Sequence, residues 1–108
     1  MHVECVREVD ASEPGADGMY EYHYEYDVYR FAEDGLCFVA RSYTDTPDEA
    51  HFLCIEADGR RRLLADADLE QPLFLAAAAH LRRIGKAQLN WLSGRGNGYE
   101  RVSSHGAV

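Results

Sequence analysis

Nine consecutive positions constrain this chain more than any others: Tyr20, Tyr22, Tyr24, Tyr26 and Val28 alternate with Glu21, His23, Glu25 and Asp27. A period of two sustained over that length specifies an extended strand, and it puts every tyrosine of the row on one face and every ionisable group on the other. Tyrosine and β-branched residues also favour strands. At Tyr29 and Phe31 the alternation changes phase, so either both faces turn apolar or a bulge intervenes.

The neighbouring segments extend this strand into a meander. His2 to Val9 alternates apolar and charged residues and reads as a first strand, followed by a loop at Ala11 to Gly18. Ala32-Glu33-Asp34-Gly35 reads as a turn leading into a third strand, Leu36 to Tyr43. Taken as a four-residue loop, this turn pairs Phe31 with Leu36, Val28 with Val39 and Tyr26 with Arg41. One face then carries Tyr20, Tyr22, Tyr24, Tyr26, Val28, Val39, Arg41 and Tyr43, and the other carries Tyr29, Phe31, Leu36 and Phe38. A turn around Pro47 leads to a fourth strand, His51 to Ala57, and Asp58-Gly59 signals a tight hairpin into a short strand at Arg60 to Leu64.

The period then changes. Asp66 and Asp68 offer capping carboxylates, Pro72 suits a first helical position, and four consecutive alanines lie within Leu73 to Ile84, with Gly85 placed to end the helix. Phe74, Ala77, Ala78, Leu81 and Ile84 form one apolar stripe, with Arg82 and Arg83 at the end the helix dipole favours. The fold class expected is α+β: an antiparallel β-meander of four to five strands packed against one main α-helix, with an additional strand, Ala87 to Leu92, after it. Residues 1–92 form a single domain in this reading, and 93–108 a glycine-rich C-terminal tail.

Composition sets the outer limits. A chain of 108 residues, 46% hydrophobic and 28% charged, suits one domain with one core. The three cysteines, Cys5, Cys37 and Cys54, are widely spaced and make no C-x-x-C pair, so they read as small buried hydrophobes and not as a disulfide framework or zinc site. The start of the chain lacks a secretory pattern and no apolar run reaches the roughly 18 residues of a membrane span, which places the protein in the cytoplasm.

The net charge of −8 is unevenly distributed: residues through Gly59 carry 15 acidic groups and three arginines, while those from Arg60 onward carry eight basic groups and four acidic ones. The simplest consequence is that the basic part folds against the acidic part; the alternative is that opposite surfaces meet between copies or across to a partner. The overall acidity argues against nucleic acid as a partner.

Candidate sites are few. Glu21, His23, Glu25 and Asp27 share one strand face, with same-face neighbours about 6.6 Å apart, and offer ligands to a divalent metal; an ordinary solvated face has the same pattern. His51 and Cys54 resemble a base and a nucleophile, but on a regular strand they point to opposite faces. Ser42, Ser93, Ser103 and Ser104 lack a nucleophile-elbow pattern. In the glycine-rich loop, Arg95, Gly96 and Asn97 offer a cradle for an anion, without the spacing of a dinucleotide fingerprint.

A sheet has two faces and this chain supplies one long helix, so if the helix covers Phe31, Leu36 and Phe38 the tyrosine side stays open. Tyrosine suits such a surface because it joins a broad apolar ring to a polar end, and Arg41 adds a cation–π contact. The expected function is therefore a non-catalytic protein-interaction module. It forms a homodimer or serves as an adaptor through Tyr20, Tyr22, Tyr24, Tyr26, Arg41 and Tyr43, with no cofactor, no membrane and a second copy or another protein as partner. The competing readings are a small metal-dependent enzyme using the acidic strand face and an anion- or nucleotide-binding protein using the glycine loop.

Overall fold

The computed structural model of the protein describes residues 1–19, 22–93 and 98–102. Its strands are β1 (His2–Ala11), β2 (His23–Glu33), β3 (Leu36–Tyr43), β4 (Glu49–Ala57), β5 (Arg60–Arg62), β6 (Gln88–Leu92) and β7 (Tyr99–Arg101), with a 3₁₀ turn (Asp66–Glu70) and helix α1 (Pro72–Arg83) between β5 and β6. They form one mixed sheet in the order β1-β2-β3-β4-β6-β7, with β5 also paired to β4. This is an α+β fold: β1 to β5 run as an antiparallel meander, α1 crosses the sheet, and β6 returns parallel to β4. The outer edge of β4 is shared, β6 pairing with Glu49 to Phe52 and β5 with Ile55 to Ala57.

Two hairpins have the same two-residue turn. Asp34-Gly35 and Asp58-Gly59 both have positive φ at both positions (51° and 80°, 52° and 76°), the backbone that a tight hairpin between right-twisted strands requires and that Asp-Gly adopts readily. Ala32 and Glu33 consequently belong to β2, and the expected four-residue loop is corrected to two. Phe31 faces Phe38, Val28 faces Arg41 and Tyr26 faces Tyr43. The shift relative to the expected register is two residues, a whole pleat, so every side chain keeps its face.

No bulge interrupts β2, whose pairing with β1 runs without a break from His2↔Ala32 to Ala11↔His23. Near the turn its helix-side face carries Tyr29 and Phe31, and the other face Val28, Arg30 and Ala32. The bulge lies in β4 instead: Val39 pairs with Cys54 and Ala40 with Phe52, leaving Leu53 as the extra residue.

One face of the sheet is roofed by α1. Phe74 reaches down to Phe38 and Phe52, with ring centroids 5.4 and 4.6 Å apart, and Phe31 packs beside Phe52. Ala77, Ala78 and Leu81 complete the buried stripe, and the absence of long side chains at the two alanines lets the helix lie close to the strands. Leu73 is buried with them, whereas Ile84, expected in the stripe, is 47% exposed. The reason is local: α1 ends at Arg83, and Ile84 takes a non-helical capping conformation before Gly85 at φ 103°.

β6 contributes Leu89 and Trp91 to the same core. Within the glycine-rich stretch, Tyr99–Arg101 pairs antiparallel with β6 and Val102 is buried in the core. Among the described residues no helix is long and apolar enough to cross a membrane.

The Asp68 carboxylate organises the entry to α1. It is 4% exposed and accepts hydrogen bonds from both terminal nitrogens of Arg62 (2.6 and 2.8 Å), from the Ala65 amide (2.7 Å) and from the Gln71 side chain (2.8 Å). The Arg62 hydrogen bonds, assisted by that amide, hold its pKa below the ordinary carboxylate value against the opposing effect of burial. Arg61–Glu56 joins the basic part of the chain to the acidic part. Arg7–Asp27 and Arg30–Glu56 lie within the acidic part, and Arg62–Asp68 within the basic part.

Candidate functional site

The sheet face opposite α1 carries a tyrosine cluster. Tyr22 and Tyr24 stack with centroids 6.0 Å apart, Tyr24 meets Tyr43 edge-on at 6.1 Å, and Tyr43 meets Tyr26 edge-on at 5.5 Å. Alternation along β2 and the Tyr26↔Tyr43 pairing across to β3 bring these rings together, as the period of two demands. Exposure within the cluster is graded: Tyr22 and Tyr24 are 45% and 50% exposed, while Tyr26 is 8% exposed. Arg41 and Tyr43 are half-buried. Tyr20 lies outside the described residues.

This gradient follows from strand lengths. β3 ends at Tyr43, opposite Tyr26, while β1 and β2 continue together through Asp10↔Tyr24 and Ala11↔His23. Tyr22 and Tyr24 thus sit on a two-stranded ribbon beyond the end of β3, and the adjoining loop carries the exposed Met19. The radius of gyration is 15.3 Å and the longest extent 53 Å, against about 13 Å expected for the radius of a compact chain of this length.

Beside the cluster lies Arg41. Its guanidinium carbon is 4.3 Å from the Tyr26 ring centroid and 5.9 Å from that of Tyr43, and one terminal nitrogen donates to the Tyr43 hydroxyl at 3.2 Å. The expected pairing of Arg41 with Tyr26 across the strands is corrected to a diagonal contact, because Arg41 pairs with Val28. Its Nε is screened from solvent and, among the described residues, meets no hydrogen-bond acceptor. Burial raises the Tyr26 phenol above its ordinary value, an effect the neighbouring Arg41 charge opposes.

From Arg41 the face dips into a depression of about 470 Å³, lined by Val28, Val39, Leu53, Cys54 and Leu63 together with Arg30, Arg41, Arg61, Arg62 and Glu8. The β4 bulge helps to form it by setting Leu53 and Cys54 side by side. Arg30 and Arg61 both bind Glu56, the latter at 2.8 Å, and these arginines hold the Glu56 carboxyl below its usual range.

The remaining sequence candidates separate from one another. The bulge brings His51 and Cys54 to the same face, correcting the expectation of opposite ones, since His51 pairs with Arg41 and Cys54 with Val39. They do not make a nucleophile and base. Burial raises the Cys54 thiol and lowers the His51 imidazole, and the His51 ring instead packs on Tyr99 at 4.7 Å with Asn90 at 3.4 Å from its Nδ1. Of the cysteines only Cys54 is buried; Cys37 is half-buried and Cys5 exposed on edge strand β1, so the expectation that all three are buried holds for one.

On the face read as a metal site, Asp27 is engaged by Arg7 at 2.6 and 3.2 Å, and Glu21 lies outside the described residues. Among the described residues no three His, Cys, Asp or Glu side chains converge on a common point suited to a metal ion. Arg95, Gly96 and Asn97 also lie outside the described residues. Sequence reasoning placed Arg41 but missed the arginine-lined depression. Its signals were Arg30, in phase with the tyrosine row, and the Arg60-Arg61-Arg62 run after the Asp58-Gly59 hairpin.

Compared with known protein families, with curated proteins and with solved structures, the chain matches none.

Proposed function

We propose that this domain acts by non-covalent protein contact, and that the tyrosine-bearing ribbon and face form a homodimer with a second copy. The observation that carries the reading is the projection of Tyr22 and Tyr24, stacked and about half exposed, on a ribbon beyond the end of β3. A two-stranded ribbon is marginally stable alone, so apolar rings held out on one gain most from cover supplied by another surface. Tyrosines suit that role because the ring buries area while the hydroxyl keeps a polar contact.

The free edge of the ribbon is a poorer candidate for the contact. Along β1, Glu4, Arg7, Glu8 and Asp10 set charges on a strand that would otherwise template edge-to-edge pairing. That favours the face over the edge, and a face meeting its own copy makes an isologous, closed contact.

Sedimentation equilibrium tests this. The wild-type chain is expected to dimerise, and the double variant Tyr22→Ser/Tyr24→Ser to remain monomeric with an unchanged far-ultraviolet circular dichroism spectrum. A wild-type chain that stays monomeric up to about 1 mM, where the association free energy is only about −4 kcal/mol, rejects the homodimer. In that case another protein is left as the partner of the same face.

A further inference from the structure

The depression beside Arg41 has a charge and a lining that the tyrosine contact does not use. Four guanidiniums, Arg30, Arg41, Arg61 and Arg62, stand at it, and three carboxylates answer them: Glu56 bridges Arg30 and Arg61, Asp68 holds Arg62, and Glu8 lies on the lining. One positive charge is left in excess, on a chain whose net charge is −8. Arg62 is committed on both terminal nitrogens to Asp68, whereas Arg61 gives its Nε and one terminal nitrogen to a single oxygen of Glu56, a carboxylate it shares with Arg30, and its side chain is 63% exposed. Arg41 is different: its hydrogen bond goes to a neutral phenol and its Nε finds no acceptor, so among the described residues no carboxylate pairs with its charge.

A guanidinium held against tyrosine rings and partly desolvated gains more from an incoming anion than one in open water. The rest of the lining is apolar, with Val28, Val39, Leu53 and Leu63 alongside Cys54, and the volume of about 470 Å³ falls in the range of small-molecule sites.

We propose that this depression binds a small organic monocarboxylate, the carboxylate held by Arg41 and Arg61 and the apolar body lying on Val28, Val39, Leu53 and Leu63. A single excess charge matches a monoanion better than a phosphate dianion, and the apolar lining rewards a hydrocarbon or aromatic body over an inorganic ion. Glu8 opposes the ligand and keeps the site weak. Tyr22 and Tyr24 are not part of the lining, so the Tyr22→Ser/Tyr24→Ser variant that tests the homodimer leaves this site's own residues unchanged.

The test is a methyl-resolved NMR titration of the full chain with hexanoate, with 1-hexanol and inorganic phosphate as the uncharged and the body-less probes. Hexanoate is expected to shift the methyls of Val28, Val39, Leu53 and Leu63 saturably, with hexanol and phosphate each about tenfold weaker, the factor that loss of a charge-assisted contact represents. Arg61→Gln, at a side chain exposed enough to leave the fold intact, is expected to weaken hexanoate about fivefold, and Arg41→Leu about tenfold. Glu8→Gln is expected to tighten it about threefold, a gain that no misfolded variant mimics.

Shifts of equal strength for hexanol and hexanoate, or an affinity that Arg61→Gln and Glu8→Gln leave unchanged, overturn the proposal. So does the absence of any shift at those methyls. If hexanoate does nothing while Arg61→Gln dissociates a dimer, the arginines belong to the contact between copies and the free acid has no site here.

Discussion

The guanidinium of Arg41 lies over the ring of Tyr26, 4.3 Å from its centroid, although the two residues are not cross-strand partners. Val28 is the residue opposite Arg41, and the arginine reaches diagonally back along β2 to the tyrosine. The contact ties the middle of the uncovered face to the start of the tyrosine cluster, and it turns a side chain that would otherwise extend into solvent into part of the packed surface.

That relationship carries the first prediction. Arg41→Lys keeps the charge but loses the flat group that stacks on Tyr26, and it is expected to destabilise the fold by about 1 kcal/mol. In a double-mutant cycle with Tyr26→Leu the two losses should be non-additive by a similar amount, read from urea unfolding of the four proteins. Strict additivity would show that the ring and the guanidinium do not share an interaction.

Asp68 gives a prediction with a pH signature. Asp68→Asn leaves Arg62 without its anionic partner, removes the acceptor of two of the four hydrogen bonds at the entry to α1 and leaves the other two on a neutral amide oxygen. The expected cost at pH 7 is about 2 kcal/mol, the Coulomb share discounted because Arg62 is itself half exposed. Because the folded-state pKa of Asp68 is lowered, its contribution is complete above the unfolded value of about 3.9 and is lost as pH falls through the folded one. The stability gap between wild type and variant should therefore be constant from pH 7 to pH 5 and narrow below pH 4, as followed by thermal unfolding.

The features readable in the sequence were those set by local periodicity. The alternation through His23 to Val28 specified a strand and the side its tyrosines take, Phe74 to Leu81 specified the face of the helix, and Asp58-Gly59 specified a turn, because each of these is decided within a few residues. The exact register at Asp34-Gly35 was not readable, since Ala32 and Glu33 serve equally well as loop or strand and only the tertiary pairing of Phe31 with Phe38 decides. The parallel return of β6 depends on where α1 delivers the chain, which no pattern in Gln88 to Leu92 encodes. Leu53 was the costliest omission. A bulge leaves no compositional mark in His51 to Ala57, yet it moves Cys54 to the face of His51 and sets Leu53 beside the arginines. The acceptor-free Nε of Arg41 was equally out of reach, because it results from the packing of β2 against β3.

Phe52 is the aromatic residue on which the covered face converges, fully buried between Phe31 and Phe74 at centroid distances of 6.5 and 4.6 Å. Phe52→Ala is expected to cost about 3–5 kcal/mol, the sum of lost transfer free energy and an unfilled cavity. A domain of this size has only about 5–15 kcal/mol in total, so the variant should lie near its unfolding transition at 37 °C. Phe52→Leu, which keeps most of the volume, should recover more than half of the loss in the same denaturation assay.

Tyr29 provides a spectroscopic check on the covered face. It is buried on the helix side of β2 directly opposite Cys5, and its phenol is pushed up to about 12, first by burial and then by the neighbouring Cys5 thiol. A tyrosine in water ionises near 10, so titration followed at the phenolate absorbance should show a late component that Tyr29→Phe removes. The linkage has a definite sign. The unfolded chain ionises this phenol first, so between pH 10 and pH 12 the wild-type protein should lose stability relative to Tyr29→Phe, with no such divergence below pH 9. Cys5→Ser should lower the late midpoint only modestly, because burial beneath the sheet's covered side is the larger cause. A midpoint that falls to the ordinary tyrosine value in Cys5→Ser would instead assign the shift to the thiol.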